Sequence, residues 1–176
     1  LDFYKAVQTR RSVRSFKKDP IPDNVLNKIL EATRIAPSGA NRQPWHFIVV
    51  KDELIKQKTA QACNNQKFMV EAPVIIVACG KRLLPPSNMG GYMGEMGMLV
   101  DVAIAFTHLI LAARVEGLGT CWIGAFDNDA LKKLLKVGDG YEVVAATPLG
   151  YPSDPDLFTK FRKRKNLDEI SSMNRF

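Results

Sequence analysis

The chain has 176 residues, 46% of them hydrophobic and 24% charged. That supports one domain with a packed core over 1–176, is too short for two ordinary ones, and excludes a disordered chain. A net charge of +7 and a pI near 9.4 favour anionic partners, yet the basic residues gather at 10–18 and 160–165 without interleaved aromatics, so no nucleic-acid-binding module is recognisable.

In chain order, Phe3, Ala6 and Val7 repeat at helical spacing, and residues 2–9 are predicted to form a short helix. Pro20-Ile21-Pro22-Asp23 is a helix-start signal with Asp23 the expected N-cap. Val25, Leu26, Ile29, Leu30 and Thr33 then mark one face of a helix that stops before Pro37. Turn formers make 37–44 a loop, Phe47-Ile48-Val49-Val50 reads as a buried strand, and 54–62 as a helix. A second buried strand is expected at 73–79, followed by a loop at 80–94 with Pro85-Pro86, Gly90-Gly91 and Gly94. The long helix over 95–116 ends at Gly117, which suits the C′ position. A strand at 119–123, a helix at 128–136 and a strand at 143–148 complete the pattern, with turns, a basic run and a tail after Tyr151. Helices between strands with few hairpin signals give an α/β or α+β sandwich.

The long helix is apolar on nearly every side, through Met98, Leu99, Val102, Ile104, Ala105, Phe106, Leu109, Ile110 and Leu111. One small domain rarely buries a helix on all faces, so a partner subunit is expected; the alternative is a central helix wrapped by its own sheet and helices. Asp101 and His108 within it suit a buried helix better than a membrane span. Cys63, Cys79 and Cys121 lie far apart without C-x-x-C, which points to reduced thiols in a cytoplasmic protein, with neither a disulfide framework nor a metal site. The first residues, Leu1-Asp2-Phe3-Tyr4, lack the order of a signal peptide.

Four segments carry candidate chemistry. Arg10-Arg11-Ser12-Val13-Arg14 brings three guanidinium groups and a hydroxyl together, which suits a phosphate as well as it suits a solvated charged turn. If extended, it points Arg10, Ser12 and Arg14 to one side and Arg11 to the other. Pro37-Ser38-Gly39-Ala40-Asn41-Arg42-Gln43-Pro44-Trp45 holds an amide pair, Asn41 and Gln43, between prolines. Amides offer donor and acceptor together to the edge of a planar heterocycle, although a rigid capped loop with Trp45 in the core would look the same. Gly117 to Asp127, G-L-G-T-C-W-I-G-A-F-D, is a strand running into a glycine-marked turn able to present backbone N–H groups. Arg162-Lys163-Arg164-Lys165 is a basic run whose ordinary reading is a solvated tail. No G-x-G-x-x-G or Walker A sequence is present.

In this order and spacing, R-R-S-V-R, P-S-G-A-N-R-Q-P-W, G-L-G-T-C-W-I-G-A-F-D and the C-terminal basic pair resemble the shorter members of the nitroreductase family. The resemblance implies an α+β three-layer sandwich, a central mostly antiparallel sheet flanked by helices, in an intertwined homodimer with FMN between the chains. It implies that Arg10, Arg11, Ser12 and Arg14 bind FMN, Arg10 and Ser12 at phosphate and ribityl oxygens and Arg14 near the N1–C2 carbonyl. Pro37, Ser38, Gly39 and Asn41 would line the ring system from the partner chain. Ile123, Gly124 and Ala125 would pass over its inner face, a backbone N–H near Gly124 or Ala125 donating to N5. Arg162 and Arg164 would close on the phosphate, with Lys165 as a third basic residue. Longer members of the family carry an acidic residue where this chain has Gly124. The 87–96 loop falls where members vary, and its methionines would form an apolar lid or pack under the long helix.

The expected activity is an FMN-dependent oxidoreductase with NAD(P)H as co-substrate and a small-molecule acceptor such as a nitroaromatic or quinone, in two-step hydride transfer and with no catalytic side chain required. His46 and His108 read as structural. Neither nucleic acid nor membrane is an expected partner. The alternatives are a dehalogenating or ene-type reductase, an oxygen-dependent flavin-fragmenting enzyme, a non-catalytic flavin-binding storage or sensor protein, and nucleic-acid binding through the basic ends.

Overall fold

The computed structural model describes residues 1–82, 96–159 and 162–176. Its helices and strands run α1 (Phe3–Thr9), α2 (Asp23–Arg34), β1 (Trp45–Val50), α3 (Glu53–Ala62), β2 (Val74–Lys81), α4 (Gly97–Val115), β3 (Gly119–Thr120), α5 (Asn128–Leu135) and β4 (Tyr141–Gly150). The strands form one sheet in the order β1-β2-β4-β3, and each neighbouring pair is antiparallel. That decides for α+β over α/β.

β2 explains the layering. Its apolar run has no polar alternation because both of its faces are covered. Val74, Ile76 and Ala78 pack with Leu26 and Ile29 of α2 and with Val102, Phe106 and Leu109 of α4. Ile75, Val77 and Cys79 pack with Ala60 of α3, Cys63 and Leu131 of α5. The period of two along one strand thus builds two cores, and the molecule is a three-layer sandwich.

Local signals set the helix ends. The carboxylates of Asp2, Asp52 and Asp127 accept from Lys5, Ile55 and Ala130 N–H groups at 3.0, 2.9 and 3.0 Å and cap α1, α3 and α5. Asp23 is not an N-cap. Pro22 takes that place without a side-chain cap, Asp23 is the first helical residue, and its carboxylate pairs with Lys51 at 3.0 Å. The proline-fixed backbone starts the helix, and a carboxylate in the first turn still favours the helix dipole. At the far end of α4, Gly117 has φ +79, Leu118 N donates to Ala113 O at 2.8 Å and Gly117 N to Arg114 O at 3.2 Å. This closure reverses the chain and buries Leu118, delivering the next residues to the sheet as β3.

The strand expected at 119–123 pairs in the ladder only at Gly119 and Thr120. Cys121 N leaves it to donate to the Thr147 hydroxyl at 3.0 Å, and Ile123 rejoins β4 through a single bridge to Ala146. α4 is long and apolar enough by composition to cross a membrane, but one face, including Asp101, is buried in the core. The opposite stripe, Met96, Leu99, Val100, Ala103, Ile104, Thr107 and Leu111, is partly or fully exposed. Among the described residues, α4 is therefore not wrapped on all sides. The 87–96 loop falls outside the described residues except for Met96, which is exposed.

β3 is where the N-terminal segment docks. A Cβ on Gly119 would lie 2.5 Å from Val13 Cγ2 and 2.8 Å from its Cβ. Gly119→Ala is expected to destabilise the fold by about 1–3 kcal/mol through overpacking, and the Gly119→Ala/Val13→Ala pair by less than the sum of the single variants. Urea denaturation of all three tests this; strictly additive costs would show that the two residues do not meet.

Candidate functional site

α1 stops at Thr9, and residues 12–17 run extended along the sheet edge. Ser12 bridges Thr120 in parallel, Val13 N donates to Thr120 O at 2.8 Å, and Lys17 N to Tyr151 O at 2.9 Å. Val13 and Phe16 turn inward, where they pack with Ala72 and Phe158, while Arg14 and Ser15 between them are exposed and Ser12 is half-buried. Arg11 turns back: its Nη1 donates to Gln8 O and Arg10 O, both at 2.8 Å, at the carbonyl end of α1.

The same small apolar cluster anchors the C-terminal arm. Phe158 sits beside Val13, the Arg114 guanidinium lies 3.9 Å above the Phe158 ring, and Arg114 Nε donates to the Thr9 hydroxyl at 3.0 Å. Arg114 thereby ties the residue before Arg10 to the base of the arm that carries Arg162 and Arg164. Burial first, then the positive charges of Arg164, Arg11 and Arg162, lower the pKa of Arg10 from its ordinary value. Among the described residues, no carboxylate forms an ion pair with Arg10, Arg14, Arg162 or Arg164. A cavity of about 530 Å³ opens here, lined by Arg10, Arg164, Thr120 and Trp122 and floored by Val7, Thr107, Ile110 and Leu111 of α1 and α4. Convergent guanidinium groups there are charge-assisted donors, the chemistry that a phosphate-like group accepts.

Trp122 stands 41% exposed at the cavity wall, edge-on to the buried Phe106 ring at 4.6 Å. Ile123 turns its side chain into the second core, so its backbone alone faces outward chemistry. Gly124 and Ala125 are exposed, and no described residue accepts from their N–H groups. Behind this wall the Cys121 thiol is buried, which raises its pKa; Arg14, a hydrogen bond with Ser12, and Arg10 oppose the rise. Burial also pushes Cys63 up to about 12 and Cys79 to about 11. All three thiols are free.

The 37–44 loop is held elsewhere on α4. Asp101 is fully buried; its Oδ1 accepts from Gly39 N at 2.9 Å and its Oδ2 lies 3.5 Å from Arg42 Nη2. Arg42 Nε donates to Gly39 O at 3.0 Å, and Gln43 N to the Ser38 hydroxyl at 2.9 Å. Ala40, Asn41 and Gln43 have φ of 50, 54 and 48, a conformation costing roughly 1–2 kcal/mol per residue for L side chains. Asn41 and Gln43 are exposed and bonded to each other, Gln43 Nε2 donating to Asn41 Oδ1 at 3.1 Å. Trp45 packs on the first core as expected.

Arg10, Ser12, Trp122, Arg162 and Arg164 are thus gathered in one region, whereas Pro37, Ser38, Gly39 and Asn41 do not line its cavity. Asp101, Arg114 and Phe158 escaped the sequence reading. Asp101 registered only as an interruption of an apolar run, although a lone carboxylate in such a helix demands a buried partner. His108 bonds the Ala32 carbonyl at 3.1 Å and joins α4 to α2, while His46 is exposed beside Tyr141.

The family model described as Nitroreductase family matches residues 7–66 and 56–151. The chain is 34% identical over 170 residues to an Archaeoglobus fulgidus protein that carries the provisional name NADH dehydrogenase/NAD(P)H nitroreductase, covering 94% of both. It is 36% identical to a solved nitroreductase family protein from Clostridium novyi NT, with a TM-score of 0.80 over 96% of this chain and 91% of that one. The NADPH:FMN oxidoreductase of Vibrio harveyi, solved with NAD+, shares the fold at a TM-score of 0.85 and 24% identity, over 99% of this chain and 77% of that one.

Ligand-free, the arginine cluster repels itself, and an anion relieves it. Millimolar inorganic phosphate is expected to raise the Tm of the wild-type protein by linkage. Arg10→Ala should remove most of that rise while leaving the phosphate-free Tm equal or higher. Differential scanning fluorimetry measures both, and an equal phosphate response in the two proteins would refute the assignment.

Proposed function

The chain belongs to the nitroreductase family of oxidoreductases, and on that premise we propose that it is an FMN-dependent enzyme that draws reducing equivalents from NAD(P)H and passes them to a small acceptor such as a nitroaromatic or quinone. The observation that carries this reading is the convergence of Arg10 and Arg164 on one cavity, with the charge of Arg162 felt at Arg10 and, among the described residues, no carboxylate paired with any of the three. FMN, when bound, supplies the hydride-accepting and hydride-donating centre.

The residues present suit that group. Arg10 and Arg164 offer charge-assisted donors to a phosphate, with Arg162 close behind, and the Ser12 hydroxyl stands beside them. Arg14, exposed on the same side as Ser12, is a cation for the pyrimidine end, where positive charge favours a reduced, anionic ring system. The bare N–H groups of Gly124 and Ala125 are donors for a ring nitrogen. A Cβ at Gly124 would meet nothing closer than Trp122 Nε1 at 3.7 Å, so its own chain does not demand glycine there. Arg11 contributes by closing α1, which sets the direction in which Arg10 leaves it.

A homodimer is part of the proposal. The exposed stripe of α4 from Met96 to Leu111 is apolar, and the C-terminal arm leaves Leu167, Ile170, Met173 and Phe176 exposed. Such surface calls for a second copy. Pro37, Ser38, Gly39 and Asn41 lie outside the cavity that holds Arg10, which supports their service to the flavin of the partner chain.

Purified protein is expected to be yellow, with bands near roughly 370 and 450 nm, and to oxidise NADH or NADPH with a nitroarene or quinone in steady state. A flavin-loaded protein that oxidises neither nicotinamide would be a binding module instead. Arg10→Ala and Arg14→Ala should each weaken FMN retention about 10- to 100-fold, as loss of a charge-assisted contact does. Arg11→Ala, whose Nη1 is spent on α1, should cost less. Equal retention in all three variants would remove the phosphate assignment.

A further inference from the structure

Asp101 is fully buried on the largely apolar α4, and it does not line the Arg10 cavity. Its Oδ1 accepts from Gly39 N at 2.9 Å; its Oδ2, 3.5 Å from Arg42 Nη2, makes no hydrogen bond. Arg42 returns to the same residue, with its backbone N donating to Gly39 O at 3.1 Å and its Nε at 3.0 Å. Both peptide groups of Gly39 are therefore fixed by a buried charge and that charge's own partner. An apolar residue would serve the core at lower electrostatic cost, so the carboxylate needs another reason. Three left-handed residues follow within four positions, Ala40, Asn41 and Gln43. Backbone in that region persists only where the surroundings over-determine it, and such strain gathers at functional sites. The result is a loop with Asn41 turned to solvent and Ser38 held half-buried by Gln43 N.

We propose that Asp101 is a positioning residue of the flavin site that acts across the subunit interface, holding the 37–43 loop in the shape in which Ser38 and Asn41 serve the cofactor of the partner chain. The inference rests on the dimeric flavin reading above. Asp101 touches no reacting atom; it acts through Gly39 and Arg42.

The test uses FMN binding, amide hydrogen exchange and mixed dimers. Asp101→Asn should weaken FMN binding at least about tenfold, since it removes the charge that orders Arg42 and leaves one acceptor for Gly39, and should speed exchange at residues 39–43. Val102→Ala, an equally buried change one residue on that touches no loop hydrogen bond, should keep wild-type FMN affinity. Co-expression of differently tagged Arg10→Ala and Asp101→Asn chains then decides direction. In the hybrid, both defects fall on one site, and one flavin per dimer binds with wild-type affinity. Should D101N fail to fold, Arg42→Ala releases the same loop from its outer side and takes its place. A D101N homodimer with wild-type FMN affinity, or a hybrid without a tight site, overturns the inference and leaves the flavin reading standing. Wild-type protein that takes up no FMN overturns both.

Discussion

The hydrogen bond from the Val13 amide to the Thr120 carbonyl, 2.8 Å long, joins the arginine-rich segment to the edge of the sheet. It forms because Gly119 leaves room for the Val13 side chain, which is buried with Phe16 and Phe158. Once that residue faces inward, strand alternation places Ser12 and Arg14 outward. Phe158 in the same cluster brings the basic arm back to Arg10. One small apolar contact thus brings two separate runs of charge, about 150 residues apart in sequence, into one cluster.

The site sits against a cost. Arg10 is half-buried among like charges, which depresses its pKa, and no acidic neighbour offsets them among the described residues. Repulsion of this kind is tolerated where a ligand brings the counter-charge. Arg114 limits the strain by stacking on Phe158 and bonding Thr9, so the two halves stay aligned without an anion present.

α4 links the two parts of the site. Its inner face is core, its outer stripe is uncovered, and it carries a charged anchor near each end, Asp101 for the 37–43 loop and Arg114 for the basic arm. The helix is a rigid rod between them, and Thr107 and Leu111 of its outer stripe also floor the cavity. On the proposed flavin reading, assembly and cofactor binding are one event.

Much of this was legible in the chain itself. Apolar spacing and apolar runs located the helices and strands, Gly117 marked the end of α4, and the four motif segments pointed to the family. Those signals are local, set by backbone propensity and by spacing within a few residues. Asp23 misled because Pro22 claims the cap position, and the strand after Gly119 was overextended because the Thr147 hydroxyl replaces a ladder carbonyl for Cys121. Tertiary structure alone decided that Arg11 folds onto α1, that Ile123 is core, and that Asp101 holds the loop through Gly39 and Arg42. Each depends on which groups from distant segments are buried together, and burial, which sets the strength of charge and hydrogen bonding, has no local signature in sequence.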